Sequence, residues 1–220
     1  MVNKKLTELD IHWPDLRLIQ QRQRKETLRE VYVAGEQYIF KRFIIKKGTL
    51  IFPRPWVSER TALVRAHGLP VPEYVATHEG MGGNGCREYV LQRTLIPGLG
   101  IKALDDDCVE AMAELLARIH LRGIVTQDAT LNNFLRAPDG TLFFIDFGKA
   151  SVYRRKMFYE IGSEMARFVH GTLNYDETLW QLFIRRYYEK RAIDAFSKSI
   201  ELFFYRFCKH NRRRRHSIPQ

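Results

Sequence analysis

The stretch "GIVTQDATLNNFLRAPDGTLFFIDFGKA", residues 123 to 150, places two carboxylates and an amide where chemistry is conceivable. Asp128 and Asp146 stand eighteen residues apart; Asn133 follows the first by five and Gly148 follows the second by two. Asp146 comes directly after the apolar run Leu142-Phe143-Phe144-Ile145. A carboxylate in a loop after a helix, with an amide five residues on, can put a base and a metal ligand on one turn. A second carboxylate at the end of an apolar strand, followed by Phe-Gly, can lean into the same space as another ligand. Phosphoryl transfer needs these parts: a residue that orients the attacking hydroxyl, and oxygen ligands for Mg2+ bridging nucleotide phosphates. The plainer alternative is that both aspartates cap turns, since Asp is common at loop starts.

The elements that must position these residues can be read from periodicity. "LREVYVAGEQYIFKRF" alternates around Ala34-Gly35-Glu36 and predicts two strands joined by a tight turn. "FPRPWVSERTALVRAHG" predicts a helix, preceded by Pro53 and Pro55 and closed by Gly68. "PVPEYVATHEGMGGNGCREYVLQRTL" predicts a strand, a glycine-rich hairpin turn and a second strand. After "IPGLG", the segment "DDDCVEAMAELLARIHLRG" predicts a helix with Met112, Leu115, Leu116 and Ile119 on one face and Gly123 at its end. A strand is expected over 141–145, and the pattern is helical from about Met157 onward. A strand-rich first half with one helix and a helical second half form a two-lobed α+β arrangement. The N-lobe is expected over residues 1–96 and the C-lobe over 97–220, with a cleft between them.

Two further residues extend the constellation upstream. Lys41 sits mid-strand in "YIFKRF", with Ile39 and Phe43 on its face, and Glu59 lies on the first helix. Alone, Lys41 reads as an exposed strand lysine and Glu59 as a solvent-facing helix residue. Together with Asp-x-x-x-x-Asn and Asp-Phe-Gly, in this order, they resemble the lysine strand, helix glutamate, catalytic loop and metal motif of the eukaryotic-like protein kinase superfamily. Within it, "KRF…ERTALVRAHGLPVPEYVA" and "LARIHLRGIVTQDATLNNFLRAPDGTLFFIDFGKAS" are similar to segments of the bacterial lipopolysaccharide core kinases, which phosphorylate heptose or Kdo sugars. The resemblance covers roughly residues 30 to 170 and implies a protein-kinase-like fold using ATP and Mg2+. It implies that Asp128 is the catalytic base and that Asn133 and Asp146 hold Mg2+. Lys41 would bind the α- and β-phosphates, with Glu59 holding Lys41. Ile39, Gln92 and Thr94 would line the nucleotide site. Asn132, beside Asn133, is the register alternative.

The departures from that pattern shape the expectations. Thr126-Gln127 stand where the superfamily has His-Arg, which removes the usual anchor for an activation-loop phosphate. No Ala-Pro-Glu follows Asp146, and only "KASVYRRKMF" precedes the next helix, so a peptide-binding platform looks truncated. No glycine occurs before Gly35, so "QQRQRKETLRE" would have to cover the phosphates with Arg22, Arg24 or Lys25.

Charge and composition limit the partners. The chain has 220 residues and 36 basic against 25 acidic groups, for a net charge of +11. Fifteen basic and seven acidic residues lie from Tyr153 onward, ending in the run Arg212 to Arg215. Such a field favours polyanions, although a charge run can equally be a solubilising tail. Arg154, Arg155 and Lys156 are expected on the acceptor side of the cleft, and the arginine run against an anionic membrane. "MVNKKLTELDIHWPDLRL" has no apolar core of a secretory signal, no run suits a membrane span, and Cys86, Cys108 and Cys208 are scattered without metal-type spacing. The expectation is a cytoplasmic protein, peripheral on the inner face of the membrane, acting on lipopolysaccharide core or another anionic glycolipid. The alternatives are a small atypical Ser/Thr protein kinase, or a kinase-like subunit of an RNA-modifying complex whose basic tail contacts nucleic acid. A pseudokinase is the further alternative.

Overall fold

A computed structural model describes residues 4–5, 11–24, 26–52, 54–82 and 85–216, with side chains except at 4–5 and 213–216. Lys25, Pro53, part of the glycine-rich turn, most of the first ten residues and the side chains of Arg213 to Arg215, all used in the sequence reading, lie outside the described residues.

The first part of the chain builds one six-stranded sheet from β1 (Lys4–Lys5), β2 (Arg17–Arg24), β3 (Thr27–Ala34), β4 (Tyr38–Ile45), β5 (Tyr74–Met81) and β6 (Arg87–Thr94). The order is β1-β5-β6-β4-β3-β2, antiparallel throughout except that β1 runs parallel to β5. The hairpin expected around Gly35 is present. Gly35 adopts φ +56°, which a residue without Cβ tolerates at no steric cost, and Ala34 lies opposite Tyr38. Strand β2 is an addition, because the sequence reading treats that segment only as a phosphate cover. All eight of its side chains are exposed, so it lacks the one-sided alternation that marks a half-buried strand.

Helix α1 (Pro55–Arg65) lies on one face of the sheet. Trp56 stacks on Tyr89 with ring centroids 4.2 Å apart and tilts against Phe43 at 5.4 Å. Ala62, Leu63 and Ala66 belong instead to the large core of the helical part, so α1 ties the two parts together. The opposite sheet face holds Tyr32, Phe40 and Val90 under Trp13, over whose ring Arg42 lies at 4.6 Å.

The rest of the chain comprises β7 (Leu99–Gly100), α2 (Asp106–Leu121), β8 (Ile124–Val125), β9 (Phe134–Arg136), β10 (Leu142–Phe144), β11 (Ser151–Val152), α3 (Phe158–Gly171), α4 (Glu177–Arg191) and α5 (Ala195–His216). Asp105 caps α2 by accepting the Cys108 N–H at 2.7 Å, and the expected stripe of Met112, Leu115, Leu116 and Ile119 is buried. Gly123 follows at φ +75°, where a Cβ would meet the Tyr153 carbonyl oxygen at 2.5 Å. Helix α2 packs on α4 and α3 on α5. The short strands pair as β7-β9-β10 and β8-β11, framing the loop between Val125 and Phe134. This is the expected α+β fold, a sheet-rich N-terminal part followed by a helical C-terminal part. Among the described residues no helix is long and apolar enough to cross a membrane.

Candidate active site

Strand alternation decides which side chains meet above α1. Lys41, in the middle of β4, lies opposite Val31 on one side and Leu91 on the other. It shares the α1 face with Phe43 and is only 3% exposed. Its Nζ donates to both carboxylate oxygens of Glu59, at 2.7 and 2.8 Å, and to Asp146 Oδ1 at 3.0 Å. These three acceptors use the full donor capacity of an ammonium group. Glu59 is completely buried on the inner side of α1, which only close cationic partners make tolerable. A second cation, Arg93, sits with Nε 3.5 Å from Glu59 Oε1.

Asp146 is reached from both parts of the protein. Besides Lys41 it faces Arg29 Nη2 at 3.8 Å and accepts the Gly148 N–H at 3.1 Å. Burial pushes its pKa upward, but Lys41, Arg29 and the Gly148 amide together hold the carboxyl well below the usual carboxylate range. The glycine of the motif has a steric reason. A Cβ on Gly148 would lie 3.3 Å from Asp146 Oδ1 and 3.8 Å from Glu59 Oε2.

The loop before β9 brings the other carboxylate and the amide into line. Asn133 Nδ2 donates to the backbone carbonyl of Asp128 at 2.7 Å, whereas Asn132 is exposed, so the structure separates the two asparagines. Ile145 N–H donates to the Asn133 carbonyl at 2.9 Å, next to the Phe134–Phe144 pair. Asn133 therefore lies across from Ile145, one residue before Asp146, where the paired strands end. Lys149 Nζ lies 2.9 Å from Asp128 Oδ2. With its amide nitrogen engaged, Asn133 keeps its side-chain oxygen as a donor to a cation, and Asp146 has a carboxylate to add. Hard oxygen donors of this kind, completed by phosphate oxygens, suit Mg2+. Among the described residues no three His, Cys, Asp or Glu side chains group as a metal centre of their own.

Thr126 and Gln127 fasten this loop from below. Gln127 adopts φ +58° and donates through Nε2 to Ser151 Oγ at 2.7 Å. Thr126 gives its N–H to Glu164 Oε2 at 2.9 Å and its hydroxyl to Glu164 Oε1. From Glu164 a buried polar chain continues. His120 Nε2 lies 3.3 Å from Glu164 Oε2 and His120 Nδ1 lies 2.6 Å from the Tyr187 hydroxyl. Arg191 then donates to the Tyr187 oxygen at 2.9 Å and to Glu201 Oε1 and Oε2 at 2.7 and 2.6 Å.

Of the remaining expected positions, two face away from Lys41. Ile39 does share the face of Lys41, in a small apolar cluster with Val31, Val33 and Leu95. Gln92 and Thr94 require correction. They lie opposite Phe40 and Tyr38, so their side chains face the other side of the sheet, and Thr94 Oγ1 accepts the Glu73 N–H. Arg93, between them, turns toward Lys41 instead. Arg154, Arg155 and Lys156 are exposed before α3; Arg155 pairs with Glu160 and lies over the Tyr153 ring at 5.2 Å. Arg22 lies opposite Arg29 on the face of Lys41, as a phosphate-covering role would need. A cavity of about 450 Å³ runs between Gly98–Ala103 and Arg136–Pro138 and touches none of Lys41, Asp128 and Asp146. Beside Lys41 the Asp146 carboxylate also meets Arg29.

No protein-family model matches this sequence, and comparison with curated proteins returns no match. Solved structures do match. The crystal structure of monomeric WbdD aligns with a TM-score of 0.54 at 16% identity, over 81% of this chain and 44% of that one. The fold is kinase-like. A second WbdD structure, described as the bifunctional kinase-methyltransferase, aligns at 15% identity over 82% of this chain and 47% of the other, with a TM-score of 0.49. The chain thus spans less than half the length of WbdD. Within this kinase-like fold, the side chains that sequence reasoning missed are Arg29, Arg93, Lys149 and Glu164. Each is an ordinary ion in a charge-rich chain, and its partner is remote in sequence. Only for Lys149, directly after Asp-Phe-Gly, did proximity to the motif offer a signal.

Proposed function

We propose that the protein is an ATP-dependent phosphotransferase whose acceptor is a sugar hydroxyl of the lipopolysaccharide inner core, a heptose or Kdo. The observation that carries the reading is the convergence of Lys41, Glu59 and Asp146 beside the loop bearing Asp128 and Asn133. In this reading Lys41 holds the α- and β-phosphates of ATP, and Glu59 fixes Lys41. Asn133 and Asp146 hold Mg2+, which supplies positive charge to the phosphate oxygens. Asp128 orients the acceptor hydroxyl and takes its proton as the hydroxyl oxygen bonds to the γ-phosphorus and the bond to ADP breaks. Lys149, beside Asp128, would neutralise charge on the moving phosphoryl group. Arg22 and Arg29 supply, from the hairpin, the cationic cover that glycine amides give elsewhere.

The saccharide acceptor is favoured by the segment between Asp146 and α3. It is short, pairs through β11 with β8 and is pinned by Gln127, which leaves little room for a peptide platform. The kinase description of WbdD fits the same class of chemistry. Label transfer from ATP, offered in parallel to detergent-solubilised lipopolysaccharide core, a generic basic protein and tRNA-modifying assemblies, tests the acceptor. Label in core saccharide is expected; label in protein alone would overturn the sugar assignment. Asp128→Asn should abolish transfer while MgATP still binds by calorimetry, whereas Asp146→Asn should weaken Mg2+-dependent nucleotide binding. An Asp146→Asn protein that binds MgATP like the wild type would refute the metal assignment.

A further inference from the structure

Helix α5 is built as if its outer side met something other than water. Phe196, Phe203 and Phe207 are 73%, 63% and 54% exposed. At about 100° per residue they fall within roughly 40° of one line. That line runs opposite the inward face, where Glu201, Tyr205 and Cys208 are buried. The stripe is about 16 Å long. It widens onto α3 through the Phe203–Phe204 contact at 5.4 Å and the Phe204–Tyr159 contact at 5.5 Å, and Tyr159 is itself half exposed.

The charges around this stripe are predominantly positive. The only carboxylate in α5 is Glu201, which is 1% exposed and held by Arg191. Arg206 and His210 are exposed beside the phenylalanines, and the sequence of the helix runs on through Arg212 to Arg215. At the other end, Arg154, Arg155 and Lys156 precede α3 on the surface. The nearby acids are engaged: Glu160 with Arg155, and Asp194 with the Ser197 amide and hydroxyl. An amphipathic helix with aromatic residues along one line and cations at its flanks matches the chemistry of an anionic bilayer surface, where rings enter the headgroup layer and cations meet lipid phosphates.

We propose that the outer face of α5, centred on Phe196, Phe203 and Phe207, docks the protein on an anionic phospholipid membrane. The phenylalanines lie along one side of a single helix, which suits a flat interface. The face deepens the glycolipid reading by bringing the protein to the layer that holds such an acceptor, and it rests on that reading for its purpose alone. The two fail separately, because vesicle binding by nucleotide-free protein reads the face and label transfer to solubilised saccharide reads the activity.

The experiment is flotation of the full chain with vesicles of phosphatidylglycerol mixed equally with phosphatidylcholine, and with phosphatidylcholine alone. The wild type should float with the anionic vesicles only. Phe203→Ser combined with Phe207→Ser should lower the partition coefficient roughly tenfold or more with an unchanged melting curve, since both rings lie outside the core. Arg206→Gln should weaken binding at low salt and matter little at high salt. Equal binding to neutral vesicles, or unchanged binding by the double variant, would overturn the proposal. So would a wild-type dimer that the double variant loses in sedimentation velocity, or a tRNA complex formed in place of vesicle binding.

Discussion

Glu59 is the hinge of the charge arithmetic in the cleft, because one buried carboxylate faces both Lys41 and Arg93. Replacing it by glutamine leaves two buried cations short of an anion, and breaking such a pair typically costs about 3 kcal/mol or more. Lys41→Met removes one cation and leaves Glu59 beside Arg93 and Asp146 beside Arg29. Chemical denaturation should therefore show a larger stability loss for Glu59→Gln than for Lys41→Met, although both should abolish transfer. The reverse order would mean that Arg93 does not contribute to holding Glu59. Asp146 sets a pH dependence whose sign follows from its lowered pKa. Its contribution is complete above the unfolded-state pKa of about 4 and is lost as pH falls toward the folded-state value. Acid unfolding of Asp146→Asn, compared with wild type, should show a shallower loss of stability below about pH 4. At this scale the sequence was informative where order carried a resemblance: it singled out Lys41, Glu59 and Asp146, which the structure joins, and Asp128 and Asn133, which share one loop. Arg29 and Arg93 were not, since a cation in a strand of a protein with 36 basic residues says nothing until the register shows what it faces.

Two glycines of α3 separate packing from propensity. At Gly162 a Cβ would stand 2.7 Å from both Phe204 Cβ and Tyr205 N of α5, and 2.9 Å from the Glu201 carbonyl oxygen. At Gly171 the nearest atom would be Thr130 Cγ2, at an ordinary 3.5 Å. Gly162→Ala should force α3 and α5 apart and cost roughly 1–3 kcal/mol. Gly171→Ala should be neutral or stabilise by about 0.5 kcal/mol through the unfolded chain. Thermal melts of the two variants decide the point, and a stable Gly162→Ala protein would mean that the helices are less closely packed. Elements that bury apolar side chains, such as β3, β4, α1 and α2, were readable from apolar pattern and flanking turns. Strand β2 was not, because exposure on every side chain erases the period, and the faces of Gln92 and Thr94 depended on a register that only pairing with β4 fixes.

Across the whole molecule, the loop carrying Asp128 is held by a buried polar chain that ends on α5. Tyr187→Phe removes the hydroxyl shared by His120 and Arg191 and leaves the cleft untouched. If the chain positions Asp128, this variant should lower kcat several-fold with little change in the KM for ATP. An equal fall in thermal stability with unchanged kcat would make the chain merely structural. The two-part fold followed from the division between alternating and helical periods, but no local signal joins Thr126 to Glu201, whose link is assembled residue by residue from four helices. That link also bears on the order in which the chain is made. A ribosome delivers the sheet, the loop and α3 before α5, so until α5 emerges Arg191 lacks its carboxylate and Gly162 its neighbour. A growing chain can have Asp128 and Asn133 in place in sequence yet unfastened in space. Chains stalled before Glu201 should therefore be cut by protease within the loop around Asp128, and extension past α5 should protect it.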